Sequence, residues 1–276
     1  MAAVLAIAGA LGWGVGDFLG GLAARRLAVL TVLVVSQAVG LLGVSVWVGI
    51  SGDAFPGVVE LLPAAAGGIA ALAGLAALYR GFAIGAMGIV APISAASPVV
   101  PLGVDAARGE TPGAAQWLGI VLVVGGIVAL SREASTEGGG IAAGAGLAVV
   151  AALGFGLFFV GIDAGSDESA AWAVAAARSA SLPVAVVAAL LTATALTTPR
   201  RAFPLVAGVG VFDTGANVLV ALASTHVAIG IVAVLSSLYP VTTVVLAWLV
   251  LGERLGVSKR VAGAVALAGA ALVAAG

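Results

Sequence analysis

Three ionisable side chains, Arg178, Asp213 and Asp17, stand inside long apolar runs of the chain. At the centre of a membrane-spanning helix such a group costs roughly 2.5 to 3.5 kcal/mol on insertion scales, so it persists mainly where it works or is paired. At about 1.5 Å of rise per residue, Asp213 lies roughly 15 Å into its run, Arg178 roughly 12 Å, and Asp17 only about 7 Å from the end of its own. The runs holding Arg178 and Asp213 are consecutive and therefore antiparallel, and across a hydrocarbon core about 30 Å thick the two residues come to one level. Asn217, one turn beyond Asp213, extends the polar stripe on the same face.

The chemistry open to this set is recognition and charge exchange. A guanidinium fork suits bidentate binding of a carboxylate, so Arg178 is the candidate anchor for an anionic substrate group, with Asp213 holding it while the site is empty. A carboxylate desolvated in a helix bundle takes up a proton more readily, which makes Asp213 and Asp17 the candidates for proton coupling. The plain alternative for Arg178 and Asp213 is a static ion pair that fixes helix packing. Asp17, about 10 Å from their level by the same rise per residue, is expected to need a different partner; its plain alternative is to reach the interface or to pair with Arg25 or Arg26 at its own helix end.

Trp13 and Tyr239 are candidate cavity aromatics, whereas Trp47, Trp117, Trp172 and Trp248 lie near run ends and read as interfacial anchors. Pro98 and Pro240 fall inside apolar runs, where a proline removes a hydrogen bond and kinks the helix. They are candidate hinges, with Ser94, Ser236 and Ser237 a turn away to serve the freed carbonyls. Asp105, Arg108, Glu110, Glu253, Lys259 and Arg260 stand at run ends and read as topology and capping residues. His226, the single histidine, reads as an exposed or capping residue. With no cysteine and one histidine, neither a thiolate nucleophile nor a Cys/His metal site can be assembled. No Gly-x-Ser-x-Gly elbow occurs and the carboxylates are scattered, so no catalytic residue, metal or cofactor is expected.

The elements that must position these residues follow from composition. Of 276 residues, 62% are hydrophobic and 8% charged, against about 25% charged in a soluble domain, so lipid must serve as the solvent. The formal net charge is -1 and no long block of one sign occurs, which makes nucleic acid an improbable partner. Charge, proline and glycine clusters divide the chain into ten runs: 2–22, 28–50, 61–78, 82–104, 114–130, 141–162, 170–191, 203–223, 227–251 and 257–275. Each approaches the roughly 20 residues that span a bilayer. The first lacks a basic leader and reads as a retained helix rather than a cleaved signal. The runs are rich in Ala, Leu and Gly and lack the period-two alternation of a membrane barrel, so the fold class is an all-α integral membrane protein.

The polar stretch 131–140, with Arg132, Glu133 and Glu137, divides the chain near its middle, and the two sides resemble each other. Gly12-Trp13-Gly14 recurs as Gly154-Phe155-Gly156. Gly88-Ile89-Val90-Ala91 recurs at the same offset as Gly230-Ile231-Val232-Ala233, and the match continues through Ser94 and Ser236 to Pro98 and Pro240. Gly109-Glu110 and Gly252-Glu253 follow within one residue of that spacing. Two five-helix repeats, 1–130 and 141–276, are thus expected. An odd helix count inserts the second copy upside down, the inverted-repeat plan of secondary transporters.

The stretch from Ser224-Thr225-His226 through Val250-Leu251-Gly252-Glu253-Arg254-Leu255, with its Gly/Ala-rich final run, resembles the EamA type of the drug/metabolite transporter superfamily. The first half repeats the pattern in Gly12-Trp13-Gly14, Ala77-Leu78-Tyr79, Pro98, Gly109-Glu110 and Trp117-Leu118-Gly119. The resemblance spans the chain. It implies a ten-helix carrier of the inner membrane that moves small metabolites such as amino acids, often outward. Members often carry an arginine near the start of helices two and seven; Arg178 fits that place, while the first half offers Ser36-Gln37.

The functional expectation is a multi-pass secondary transporter, an exporter by this resemblance, that works by alternating access. It would sit in membrane lipid and take a small, carboxylate-bearing substrate with proton coupling. An intramembrane enzyme would need a nucleophile, metal set or paired acids, and a non-transporting scaffold or sensor usually adds a soluble domain. On orientation two warrants point opposite ways. Odd-numbered loops hold Arg25, Arg26, Arg80, Arg132, Arg200, Arg201, Arg254, Lys259 and Arg260, and even-numbered loops hold only Arg108, which puts both termini outside by the positive-inside rule. The resemblance implies cytoplasmic termini.

Overall fold

The computed structural model describes residues 1–83, 94, 96–132, 141–251 and 256–275. Gly88-Ile89-Val90-Ala91, most of run 82–104, Glu133, Glu137, and Gly252-Glu253-Arg254-Leu255 lie outside the described residues. Those described form helices alone: α1 (Ala2–Ala24), α2 (Val29–Ser51), α3 (Val58–Ala83), α4 (Val99–Ala107), α5 (Ala114–Arg132), α6 (Ile141–Ala164), α7 (Ala170–Leu191), α8 (Phe203–Ser224), α9 (Ile229–Ser236), α10 (Tyr239–Leu251) and α11 (Val257–Ala275). Ends are set by local chemistry. Gly52 closes α2 in the left-handed conformation at φ +71, which a side chain would strain. Ser169 opens α7, its hydroxyl accepting the Trp172 backbone N–H.

Among the described residues, seven helical spans are long and apolar enough to cross a bilayer, and two shorter apolar helices run over 114–129 and 260–275. Side chains such as Val4, Leu42, Val46, Ile50, Leu190 and Leu191 point outward and exposed, as lipid requires. The expectation of one kinked helix over 227–251 is corrected. The helix is broken, with α9 ending at Ser236 and α10 starting at Tyr239. Pro240 and Pro98 stand not in mid-helix but at helix starts, Pro98 as the N-cap of α4. There the missing N–H costs no hydrogen bond.

Glycine sets the closest packing. A Cβ on Gly67 would lie 3.2 Å from the Gly161 Cα, and one on Gly154 2.9 Å from the Gly74 Cα, so α3 and α6 run antiparallel with backbones nearly touching. Gly12 meets Ala216 and Gly9 meets Val220, which sets α1 antiparallel to α8. Gly119 against Gly269 and Gly126 against Ala266 do the same for α5 and α11. Thr31 bonds the Ala195 carbonyl while Gln37 meets Arg178, making α2 and α7 antiparallel. The most extensive pairs, α3 with α6, α5 with α11 and α1 with α8, each join a helix before residue 133 to one after 140. The two stretches therefore interleave.

Candidate functional site

The site forms where α2 crosses α7 and α1 crosses α8. Arg178 is buried on α7, and its Nη1 donates to Gln37 Oε1 on α2 at 2.6 Å, while Nη2 is bonded and ion-paired to Asp213 Oδ2 on α8. The Ser181 hydroxyl donates to the same Gln37 oxygen at 3.2 Å. One turn beyond Asp213, Asn217 accepts from Trp13 Nε1 at 2.8 Å, which fixes both residues on the cavity wall. Trp13 stands edge-on to Phe159 at 5.6 Å and to Phe158 at 6.1 Å. Side-chain exposure is 6% for Arg178 and 26% for Asp213, so the carboxylate, not the guanidinium, reaches the open space.

That space is a cavity of about 70 Å³, lined by these residues and by Asp17, Ser97, Phe155 and Tyr239 among others. Ligand pockets run from about 300 to 1,000 Å³, so a metabolite enters only when helices separate. Among the described residues no hydrogen bond or ion pair reaches Asp17. With Arg178 balancing Asp213, Asp17 is the uncompensated carboxylate of the cavity.

The lining repeats. At the offset separating Trp13 from Phe155, Asp17 matches Phe159, Ala71 matches Asp213, Leu75 matches Asn217 and Ser97 matches Tyr239, and all ten residues line the cavity. The cavity therefore draws residues at one constant sequence offset from both stretches, with different chemistry at each. Asp213 and Asn217 face apolar counterparts, as does Asp17.

Of the residues singled out from sequence, Arg178, Asp213, Asn217, Trp13, Tyr239 and Asp17 all line this space. The expectation that Asp17 sits about 10 Å away with Arg25 or Arg26 as partner is corrected, since α1 crosses α8 so closely that a Cβ on Gly16 would lie 3.5 Å from the Asp213 nitrogen. Depth along each helix axis ignores that crossing. Pro98 and Pro240 do not line it, although their neighbours Ser97 and Tyr239 do. Gln37, Phe155, Phe158 and Phe159 were not singled out as site residues, yet the Trp13/Phe155 and Asp17/Phe159 correspondences were already present in the repeat.

At one end of the bundle a second, larger cavity of about 670 Å³ is lined by Met1, Asp105, Glu110, Gln116, His226 and Leu235 among others. Arg108 pairs with Asp163 at 3.1 Å, and Asp53 accepts from the Ser169 hydroxyl at 2.6 Å. His226 is exposed, its Nδ1 against the Leu222 carbonyl, in keeping with a boundary residue. Asp105 departs from the expectation of a solvated cap. It is 2% exposed, and its Oδ2 accepts the Gly230 N–H of α9 at 2.6 Å.

Comparison with known proteins places this geometry. A model described as the EamA-like transporter family matches residues 1–132 and 142–275. A search of curated proteins returns no match. Among solved structures, 28 chains match. One of them, titled only as the crystal structure of a protein, shares the fold at a TM-score of 0.80 and 15% identity, covering 98% of this chain and 95% of its own.

Proposed function

Because the chain belongs to the EamA-like transporter family, within the drug/metabolite transporter superfamily, we propose that this multi-pass membrane protein is a secondary carrier of small metabolites such as amino acids. It works by alternating access in the inner membrane, in the export direction. The observation that carries the reading is the central cavity, which is too small for a metabolite in this conformation and is lined from both stretches at one constant sequence offset. A space of that kind must open and close to work. Arg178 anchors a substrate carboxylate by exchanging Asp213 for it, Asn217, Trp13 and Tyr239 complete the wall, and the breaks next to Pro98 and Pro240 are the hinges. Proton coupling falls first to Asp17, which no hydrogen bond or ion pair reaches among the described residues, with Asp213 the second candidate once the substrate has displaced it from Arg178.

The architecture we propose is ten crossings in two inverted repeats, 1–130 and 141–276. It is supported by the antiparallel register of α2 with α7 and of α5 with α11, which are corresponding helices of the two stretches.

The test of the carrier reading is flux: the purified protein in sealed vesicles, offered a metabolite mixture, is expected to move at least one solute without converting it. Conversion without net movement would identify an intramembrane enzyme, and neither would leave a scaffold. For orientation, Met1, Glu110, His226 and Ala274 share one cavity, so the even-numbered loops meet at one end of the bundle. Of the Lys and Arg residues, that end carries Arg108 alone. We therefore expect both termini outside. A C-terminal reporter that works only in the cytoplasm should be silent, and an active one would favour cytoplasmic termini.

A further inference from the structure

We infer that α9 is the partition that shuts the central cavity off from the larger cavity at the bundle end, and that Asp105 is the residue that latches it. The inference rests on the carrier reading above.

The eight residues of α9 touch both spaces. Ile231, Val232 and Leu235 line the outer cavity, while Ser236 and the adjoining Ser237 line the central one. The helix is interrupted immediately beyond, at Ser237 and Leu238, so α9 can shift without dragging α10 along its axis. Among the described residues, two hydrogen bonds tie it to other helices. The Ser236 hydroxyl donates to the Ala6 carbonyl of α1 at 3.3 Å, and the Gly230 N–H donates to Asp105 Oδ2 of α4 at 2.6 Å. The second is the stronger, because the first turn of a helix presents unpaired N–H groups and partial positive charge to the carboxylate. Glycine is needed for that approach: a Cβ on Gly230 would lie 2.6 Å from both Asp105 Oδ2 and Leu102 Cδ2.

Asp105 lines the outer cavity as well as meeting α9, and Arg108, one turn further on, is turned away to Asp163 of α6, so among the described residues the Gly230 N–H is what the Asp105 side chain holds. Water in that cavity replaces this N–H when α9 moves, which lets the contact release. At the repeat offset Asp105 corresponds to Ala247, so the sequence holds no carboxylate at the equivalent position of the second half.

The chain contains no cysteine, so a single reporter reads the gate directly. Ser237→Cys is placed in otherwise native protein and in Asp105→Ala and Asp105→Asn backgrounds. Its reaction with a membrane-impermeant thiol reagent is then timed from each side of membrane vesicles. Losing a charge-assisted hydrogen bond should raise the rate at least about tenfold in Asp105→Ala, from the side of Met1 and His226 only. Asp105→Asn, which keeps an acceptor, should stay within about threefold of the parent. A second reporter, Ala151→Cys in the buried α3/α6 seam, should remain unreactive in every background, which separates an opened gate from an unfolded bundle. An unchanged Ser237→Cys rate in Asp105→Ala, an equal rise at Ala151→Cys, or a rise from both sides would overturn the latch. No substrate is used, so the result is independent of whether the vesicle screen finds flux.

Discussion

Replacing Arg178 with lysine is expected to leave the protein inserted and folded but to weaken substrate binding at least about tenfold, a loss of roughly 1.4 kcal/mol. The wild-type guanidinium reaches Gln37 with one nitrogen and Asp213 with another. An ammonium keeps the charge yet presents no planar fork to two acceptors or to an incoming carboxylate. Arg178→Ala is the harsher change. It strands Asp213 in a largely buried site, where removing one member of an ion pair typically costs about 3 to 5 kcal/mol. It should therefore lower thermal stability as well as binding, whereas the lysine variant should lose binding alone. Equilibrium binding of the solute identified by the vesicle screen, set beside the melting temperature of each variant, separates the two effects. Wild-type binding by Arg178→Lys would make Arg178 a packing residue.

Asp17→Asn should abolish the response of flux to a proton gradient while leaving downhill exchange of substrate. A carrier moving one proton per substrate gains about 1.4 kcal/mol from a gradient of one pH unit, enough to concentrate its substrate about tenfold. Without a titrating group in the cavity, the two sides should merely equalise. Asp213→Asn should behave differently, because it leaves Arg178 without its counter-charge and damages binding first. Accumulation ratios in vesicles with an imposed pH difference report this directly. Accumulation by Asp17→Asn equal to the parent's would remove Asp17 from the coupling role.

The membrane class was legible because it is written linearly, in the length of the apolar runs. The Arg178–Asp213 pair was legible for the same reason, since its two helices are consecutive and depth follows residue number. Asp17 was misjudged because α1 and α8 are far apart in sequence, and nothing local states how closely Gly9, Gly12 and Gly16 let them cross. The break at Ser237 and Leu238 was hidden in an apolar run that passes through it without interruption, so Pro240 read as a kink inside a helix instead of the start of one. Asp105 illustrates the same limit. Its position at a helix end suggested water, whereas its partner, the Gly230 N–H, arrives from the other half of the chain.

The interleaving of the two stretches governs how the protein is made. The backbones of α1, α3 and α5 find their closest partners in α8, α6 and α11, none of which has left the ribosome when residues 1–132 are delivered to the bilayer. At roughly 5 to 20 residues per second, the remaining half of the chain follows over about 7 to 30 seconds. During that interval the glycine faces of α1, α3 and α5 are bare to lipid or to the insertion machinery, so the nascent first half is a waiting intermediate rather than a folded unit. Membrane proteases and chaperones have that long to act on it.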